Sequence, residues 1–321
     1  TDPKPGRHPA ERKVENTGLR APLREGRPPD SNVASASGRC AKTGCLRRRA
    51  HRGGHVVEAL CRHITLSVTV FLEIFSGCGR LGDRVSQICG GYVLLWDISF
   101  GAEYDLRSKA KQQLIIGWLR AGFIWGCHLG TPCNSFSRAR DHGPGPPPLR
   151  SDCFPLGLPD ISRECDRTKV IIGNALMVFS AHVVRCCVQL CIPASLENPA
   201  RSRLWICPPM IHVLRLRNVK FSLSEFCQWG TPWRKSTGFL TANLDFSSVS
   251  AHRCLGAKRG MCKRTNLPHI VLAGFDANRQ FLTKIAEPYP IMLRNGIAKC
   301  FRDAQVSTIA GNFDRRLKPV F

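Results

Sequence analysis

A cysteine follows a proline in the segment HLGTPCNSFSRARD, residues 128–141, where an apolar run gives way to polar residues. The apolar run has the composition of a buried strand, so Cys133 is expected at a strand tip with Pro132 fixing the turn. A thiolate in this place can act as a nucleophile, and the cations of Arg138 and Arg140 can lower its pKa or bind phosphate. The alternative is a buried structural thiol, because the chain holds 17 cysteines.

A second polar tip is expected where Glu197 and Asn198 follow the run IPASL and precede Pro199. A carboxylate beside an amide can recognise a ring nitrogen together with an exocyclic amine. A plain turn or helix-capping segment is the alternative, since these residue types are common in turns.

A glycine pattern follows the first apolar run of the folded region. In EIFSGCGRLG, Gly77, Gly79 and Gly82 give the spacing G-x-G-x-x-G between a predicted strand and a predicted helix. Such glycines permit a tight turn and bring a nucleoside cofactor close to backbone amides. Asp97 ends the next predicted strand, where a carboxylate can bind ribose hydroxyls. S-adenosylmethionine and NAD both suit this pattern, and packing glycines at a helix entry are the alternative.

The elements that place these tips alternate along the chain. Apolar runs rich in β-branched residues are separated by helical patterns, which predicts an α/β fold with a doubly wound, mostly parallel sheet. Ligands of such a sheet bind beyond the carboxyl ends of its strands, which makes the polar tips candidate sites.

The charge balance favours a polyanionic partner. Lys and Arg number 47 against 23 Asp and Glu, a net charge of +24, and each phosphate that a cation neutralises releases a counterion. We therefore expect nucleic acid as the partner. No apolar run is as long as a membrane span, so no membrane partner is expected. Most cysteines lie in apolar runs, which indicates a reducing, intracellular compartment, the nucleus in a eukaryotic cell.

A candidate metal set lies in the second half of the chain. Its members are Cys227, Cys254, Cys262 and His269, and three thiols with one imidazole are a valid tetrahedral zinc set. Because no C-x-x-C pair occurs among them, unrelated core cysteines are the favoured alternative. A bound zinc ion would stabilise a region that is too small for a core of its own.

The order of these features resembles the cytosine-5 DNA methyltransferases. The resemblance implies a Rossmann-like methyltransferase fold in which the loop Phe75–Gly82 holds S-adenosylmethionine and Asp97 binds its ribose, with Pro132 beside the cofactor. It covers roughly residues 68–300. The segment PYPIML, residues 288–293, looks like the family's last motif, which folds back to the cofactor pocket.

The same resemblance implies methyl transfer to carbon 5 of cytosine in DNA. Cys133 would form a covalent bond with a base flipped out of the duplex. Glu197, with Asn198 beside it, would stabilise the charge that develops on the ring. The candidate nucleic-acid contacts are Arg138, Arg140, Arg234 and Lys235.

Departures from the family pattern keep other functions open. Asn134 follows the cysteine where the family usually has Gln, Pro199 follows Glu-Asn where it has Val, and its Gln-x-Arg-x-Arg motif is not intact. An inactive relative that binds nucleic acid, for example a mobile-element remnant, is the main alternative, and RNA is an alternative substrate. An NAD-dependent enzyme would explain the glycine loop but not the positions of Cys133 and Glu197.

The predicted domain organisation has five parts. They are a basic, disordered tail at 1–62, the cofactor-binding catalytic region at 63–200, a small recognition region at 201–280, a closing segment at 281–303 and a tail at 304–321.

Overall fold

The computed structural model describes residues 69–141, 146–255, 260–275 and 281–316. The predicted disordered tail at 1–62 lies outside these residues. Six strands form one sheet in the order β2-β1-β3-β4-β6-β5. Their bounds are β1 Val70–Ile74, β2 Tyr92–Trp96, β3 Ile124–Leu129, β4 Ala194–Pro199, β5 Val219–Glu225 and β6 Ser236–Ala242.

Six α-helices accompany the strands in the described part of the chain. Their bounds are α1 Arg80–Cys89, α2 Lys109–Arg120, α3 Glu164–Gln189, α4 Pro208–Leu214, α5 Ser247–Ser250 and α6 Ile291–Arg316. Strands β1 to β4 are parallel, and each is joined to the next by one of the first three helices, as parallel pairing requires. Strand β6 is antiparallel to both of its neighbours. The mostly parallel α/β sheet predicted from the sequence is therefore confirmed.

The parallel strands read as continuous apolar runs because the sheet is buried on both faces. In β1, Phe71 belongs to a core formed with α1 and α6, whereas Leu72 and Ile74 belong to a second core formed with α2 and α3. Side chains alternate between the faces along a strand, so one five-residue strand contributes to both cores.

Strands β5 and β6 extend the sheet beyond β4, although the sequence analysis places a region boundary at residue 200. Glu197 pairs with Phe239 and Asn198 pairs with Gly238, and Leu240 is buried in the core of α3. The sequence pattern changes after residue 200 because the strands before it are separated by α-helices, whereas β5 and β6 follow each other without an α-helix between them. The first part of the predicted recognition region at 201–280 thus belongs to the same sheet as the predicted catalytic region, and target recognition by that region stays a prediction.

Helix α6 ends at Arg316, so the tail predicted from residue 304 begins inside a helix. Leu293, Ile297 and Phe301 are fully buried against α1 and β1. Once these turns are anchored, each further residue adds one backbone hydrogen bond without a new nucleation cost. The helix therefore continues into polar sequence that by composition resembles a tail.

Helix α3 is long and apolar enough to cross a membrane by length and composition, contrary to the expectation that every apolar run is too short. It lies across one face of the sheet, where Met177, Val183 and Cys187 are fully buried. In its most apolar window, 61% of the residues are buried. This burial is typical of a core helix.

The tip of β3 passes very close to the loop that follows β1. A Cβ atom at Gly130 would lie 2.9 Å from the carbonyl oxygen of Phe75, and the Gly130 amide donates to the carbonyl of Ile74 at 3.0 Å. Phe75 has a φ of 56°, which is uncommon for a residue with a side chain. The backbone at Gly130 therefore packs directly against the backbone of residues 74 and 75, and there is no room for a side chain between them.

We expect Gly130→Ala to destabilise the protein by about 2 kcal/mol, the ordinary cost of overpacking. Gly117→Ala is the matched control, because Gly117 lies on the exposed side of α2 and no described atom lies within 4 Å of its Cβ position. That change should be neutral or stabilise by up to about 1 kcal/mol, the helix-propensity gain of alanine. Urea unfolding followed by circular dichroism measures both, and equal effects would contradict the close approach.

Candidate functional site

A cavity of about 710 Å³ opens beyond the carboxyl ends of the parallel strands. Strand order reverses between β1 and β3, and open α/β sheets bind ligands at such a point. The structure brings seven of the sequence-predicted site residues to the cavity. They are Phe75, Gly77, Asp97, Pro132, Cys133, Glu197 and Lys235.

The three glycines of the loop have different roles. A Cβ atom at Gly79 or at Gly82 would lie 2.5 Å from the side chain of Leu95, so both residues allow α1 to pack on β2. Gly77 lines the cavity with a φ of 53°, and no described atom lies within 4 Å of its Cβ position. Of the three, Gly77 is the one placed to approach a ligand, and the other two fit the packing alternative.

Two carboxylates hold this loop in place. Asp97 accepts hydrogen bonds from the amide of Gly77 at 2.8 Å and from the amide of Ser99 at 2.9 Å. Glu73, which is 3% exposed, accepts from the amide of Gly82 at 2.7 Å. Burial raises the pKa of Glu73 to about 8, although the hydrogen bond from Gly82 opposes the shift. Sequence reasoning missed Glu73, whose signal is a lone charge inside the apolar strand FLEIF.

These bonds bear on the choice between cofactors. A dinucleotide places its pyrophosphate on free amides at a helix N-terminus. The amide of Gly82, in the first turn of α1, is already bonded to Glu73, and the amide of Gly77 is bonded to Asp97. The geometry therefore disfavours the NAD hypothesis.

The candidate nucleophile and the candidate acid line the same cavity. Lys235 Nζ lies 3.6 Å from Glu197 Oε1 and donates to the carbonyl of Ala286 at 3.2 Å. The pKa of Cys133 is raised to about 11, mainly by burial; the charge of Glu197 adds to this shift, and the charge of Lys235 opposes it. Cys133 is therefore a neutral thiol near pH 7 in this state.

Arg138 and Arg140 do not line the cavity. Arg138 donates to Asp152 at 2.8 Å, and Arg140 donates to the carbonyl of Pro147 at 2.9 Å. The carbonyl of Cys133 accepts from the amides three and four residues further along the chain, both at 2.9 Å. This tight turn directs the following chain away, so the cation that lowers the pKa of the thiol comes from Lys235 and not from either arginine.

Arg234 and Lys235 are adjacent but face different surroundings. Arg234 lies 3.7 Å from Glu225, a fully buried carboxylate that also pairs with Arg253 at 3.1 Å. Lys235 instead lines the cavity. Neighbouring side chains of an extended segment point to opposite sides, which accounts for the difference.

Asn198 is fully buried and does not line the cavity. Its Nδ2 donates to the carbonyl of Thr131 at 2.7 Å, which joins the tip of β4 to the tip of β3. Its Oδ1 has no hydrogen-bond partner among the described residues. Asn198 thus holds the loop of Cys133 in position and is not placed to contact a ligand.

Sequence reasoning missed a hydrogen-bond chain that leads to the cavity. His128 Nδ1 lies 2.7 Å from Ser195 Oγ, and its Nε2 lies 3.0 Å from the hydroxyl of Tyr289. Burial lowers the pKa of His128 to about 3, which keeps the imidazole neutral. Burial also raises the pKa of Tyr289 well above its usual value, and the charges of Glu197 and Glu73 add to the shift. The available signals were a lone His in a buried strand and the Tyr of PYPIML.

The segment that contains PYPIML, residues 288–293, contributes to the cavity. Glu287, Pro288 and Tyr289 line it, and Arg294 from the first turn of α6 joins them. The cavity wall thus combines residues near both ends of the described chain with the strand tips that lie between them in sequence.

A second cluster contains the predicted metal set. The ligand atoms of Cys227, Cys254, Cys262 and His269 all lie within 4.8 Å of one another. The structure therefore brings the four residues together in an arrangement that can hold a metal ion.

Comparisons with known proteins add little. No protein-family model matches the chain, and no curated protein matches it. Among solved structures, a methyltransferase of Entamoeba histolytica aligns with 11% identity and a TM-score of 0.33, over 56% of this chain and 55% of that one. The chain thus spans about half the length of that structure.

We expect Glu73→Gln to change how stability depends on pH. The folded protein holds the pKa of Glu73 at about 8, above the usual 4.5. The contribution of Glu73 to the free energy of unfolding is therefore fully present below pH 4.5 and is lost as the pH rises to about 8. The uncharged variant avoids this loss, which for the parent protein amounts to about 1.4 kcal/mol each time the pH rises by about one within that range. Urea unfolding at pH 5 and pH 8 tests it, and parallel pH profiles of variant and parent would contradict it.

The reactivity of Cys133 should respond in opposite directions to its two charged neighbours. Glu197→Gln removes the charge that raises the pKa of the thiol and should speed its alkylation by iodoacetamide, whereas Lys235→Met should slow it. Below the pKa, the thiolate fraction and the rate change about tenfold when the pKa moves by about one. Mass spectrometry of the Cys133 peptide gives the rates, with the exposed Cys191 as internal control. Changes of the same sign in both variants would contradict the electrostatic account.

Proposed function

We propose that this protein transfers a methyl group from S-adenosylmethionine to carbon 5 of cytosine in DNA. The observation that carries the proposal is the shared cavity of Cys133, Glu197 and Lys235, next to a glycine loop at the end of β1. A thiol, a carboxylate and a cation are the groups that nucleophilic addition to a pyrimidine ring needs.

The loop side of the cavity fits a nucleoside cofactor that lacks a pyrophosphate. Ser76 lines it with a buried hydroxyl that has no hydrogen-bond partner in the described structure, and Gly77 leaves open space. Each oxygen of Asp97 accepts one backbone hydrogen bond and has capacity for another, which a ribose hydroxyl can fill. Phe75, Ser76, Gly77 and Asp97 would hold the cofactor. S-adenosylmethionine, when bound, supplies the methyl group that carbon 5 takes up.

The base side of the cavity would activate the ring and the thiol together. Carbon 5 of cytosine becomes nucleophilic when the sulfur electron pair of Cys133 forms a bond to carbon 6. Glu197 would take up the thiol proton and share it with ring nitrogen 3, which receives the displaced electron density. That step removes the negative charge that raises the pKa of Cys133, while the charge of Lys235 remains. After methylation, a water molecule would take the proton from carbon 5, and the electron pair of that C–H bond would re-form the double bond between carbon 5 and carbon 6. The bond between sulfur and carbon 6 would break as the double bond forms and return its electron pair to Cys133.

Two features support a nucleic-acid substrate: the positive charge of the chain, with cations among the residues that line its cavity, and the position of Cys133 and Glu197 inside that cavity. The chain carries a net charge of +24, and Arg80 and Arg294 line the cavity together with Lys235. Because Cys133 and Glu197 lie inside the cavity, a paired base has to leave the duplex to reach them.

One observation favours the alternative of an inactive relative that binds nucleic acid. The high pKa of Cys133, about 11, leaves little thiolate in the free protein at neutral pH. In that case the cavity would bind cofactor and base without methyl transfer. The two functions differ in whether a covalent bond to Cys133 forms.

Trapping with 5-fluorocytosine distinguishes methyl transfer from nucleic-acid binding without catalysis. Duplex oligonucleotides of several mixed sequences carrying this base are incubated with the full chain and S-adenosylmethionine. Fluorine replaces the hydrogen on carbon 5 and cannot leave as a cation, so the bond between Cys133 and carbon 6 would persist. We expect an adduct that survives denaturation, is absent for Cys133→Ser and persists for the control Cys191→Ser. Parallel single-stranded RNA tests the alternative substrate. Cofactor binding by calorimetry without any adduct would reject methyl transfer and favour the inactive relative.

A further inference from the structure

The cysteines of this chain have two kinds of surroundings. Cys127, Cys186, Cys187 and Cys207 are buried among the apolar side chains of the core that α3 shares with the sheet. Cys227, Cys254 and Cys262 instead form a buried cluster of their own, apart from both large cores. Packing as small apolar residues accounts for the first group. The second group needs a different reason to be buried.

The segment that supplies two of these thiols has little apolar packing. In the described residues of 251–275, Cys254 and Cys262 are the buried ones. Apolar neighbours point outward: Leu255 is 74% exposed, Leu267 63% and Val271 79%. The hydrophobic effect alone would bury these larger side chains before two thiols. The convergence of the thiols therefore indicates a specific interaction among them.

We propose that Cys227, Cys254, Cys262 and His269 bind a zinc ion. In a tetrahedral site with Zn–S bonds of about 2.3 Å and a Zn–N bond of about 2.0 Å, sulfur and nitrogen ligands lie about 3.5 Å apart and two sulfurs about 3.8 Å apart. Cys254 Sγ lies 3.6 Å from His269 Nε2, and all four ligand atoms lie within 4.8 Å. The widest pair has to close by only about 1 Å to reach that geometry.

Hydrogen bonds around the cluster orient the ligands. His269 Nδ1 lies 3.1 Å from the carbonyl of Gly260, which places the proton on Nδ1 and leaves the Nε2 lone pair facing Cys254. The amide of Lys263 donates to Cys254 Sγ at 3.4 Å, and Gln228 Nε2 donates to Cys227 Sγ at 3.5 Å. Donors of this kind stabilise metal-bound thiolates.

Four protein ligands leave no open coordination position, so the site is structural. The ion would tie the segment that carries Cys254, Cys262 and His269 to Cys227, just after β5. Next to His269, the amide of Ile270 donates to the carbonyl of Pro232 at 3.0 Å. The zinc site thus fixes a segment that lies beside the chain leading to Lys235. The proposal does not depend on methyl transfer.

The first test uses the unaltered full chain and needs no variant. The protein is purified under reducing conditions, loaded with zinc and washed with a weak chelator. We expect about one zinc ion per chain, measured by inductively coupled plasma mass spectrometry. X-ray absorption at the zinc edge should show three sulfur neighbours and one nitrogen. Complete loss of zinc in the wash, or a site of four sulfurs, would overturn the proposal.

Variants then assign the ligands. Cys254→Ser, Cys262→Ser and His269→Ala should each weaken zinc binding at least about tenfold, whereas His269→Cys should keep the ion with four sulfur neighbours. The controls are the exposed Cys191→Ser and the buried core Cys207→Ala, which should keep zinc and the S₃N signature. Equal loss of zinc in ligand and control variants would reject this ligand set.

Discussion

One side-chain hydrogen bond holds the cavity wall together. The backbone pairing of β3 with β4 runs from Cys127 to Leu129 and ends there, so it does not extend to the loop that follows β3. Beyond Leu129, Asn198 Nδ2 donates a hydrogen bond to the carbonyl of Thr131 at 2.7 Å. This side-chain bond joins the two strands where their backbone hydrogen bonds have ended. This bond keeps Cys133 and Glu197 on one wall, at the expense of an unpaired Oδ1 among the described residues.

On the proposed function, the electrostatics of that wall couple Cys133 to its substrate. Glu197 raises the pKa of the Cys133 thiol and Lys235 lowers it, so the balance depends on the charge of one carboxylate. On the proposed function, a base that shares a proton with Glu197 would remove the opposing charge at the moment the thiolate is needed. A protonated thiol is also the less reactive form toward oxidants, which suits a cysteine that lines an open cavity.

The sequence allowed part of this site to be predicted. Strand and helix periodicity put Asp97, Cys133 and Glu197 at strand tips, because that placement depends on local pattern alone. The contributions of Glu73, His128 and Tyr289 depend on which strands and segments become neighbours, which local pattern does not encode. Local pattern also did not show that Arg138 and Arg140 lie outside the cavity, since the turn beginning at Cys133 leads the chain away from it; their role as nucleic-acid contacts stays a prediction. The sheet membership of β5 and β6 was not predicted, because two consecutive strands change the sequence pattern after residue 200 in the same way as the start of a new region would.

The cavity and the cysteine cluster share three consecutive residues as their support. Glu225 accepts a hydrogen bond from the amide of Cys254 at 2.9 Å. The ring of Phe226 lies 4.7 Å from Lys235 Nζ and packs edge-on against Tyr289 at 6.3 Å. Cys227 belongs to the cluster itself. Since a short rigid turn joins these side chains, a metal ion bound at Cys227 would restrain the same turn that supports the cation of the cavity. The two proposed sites can therefore be energetically coupled without sharing a ligand.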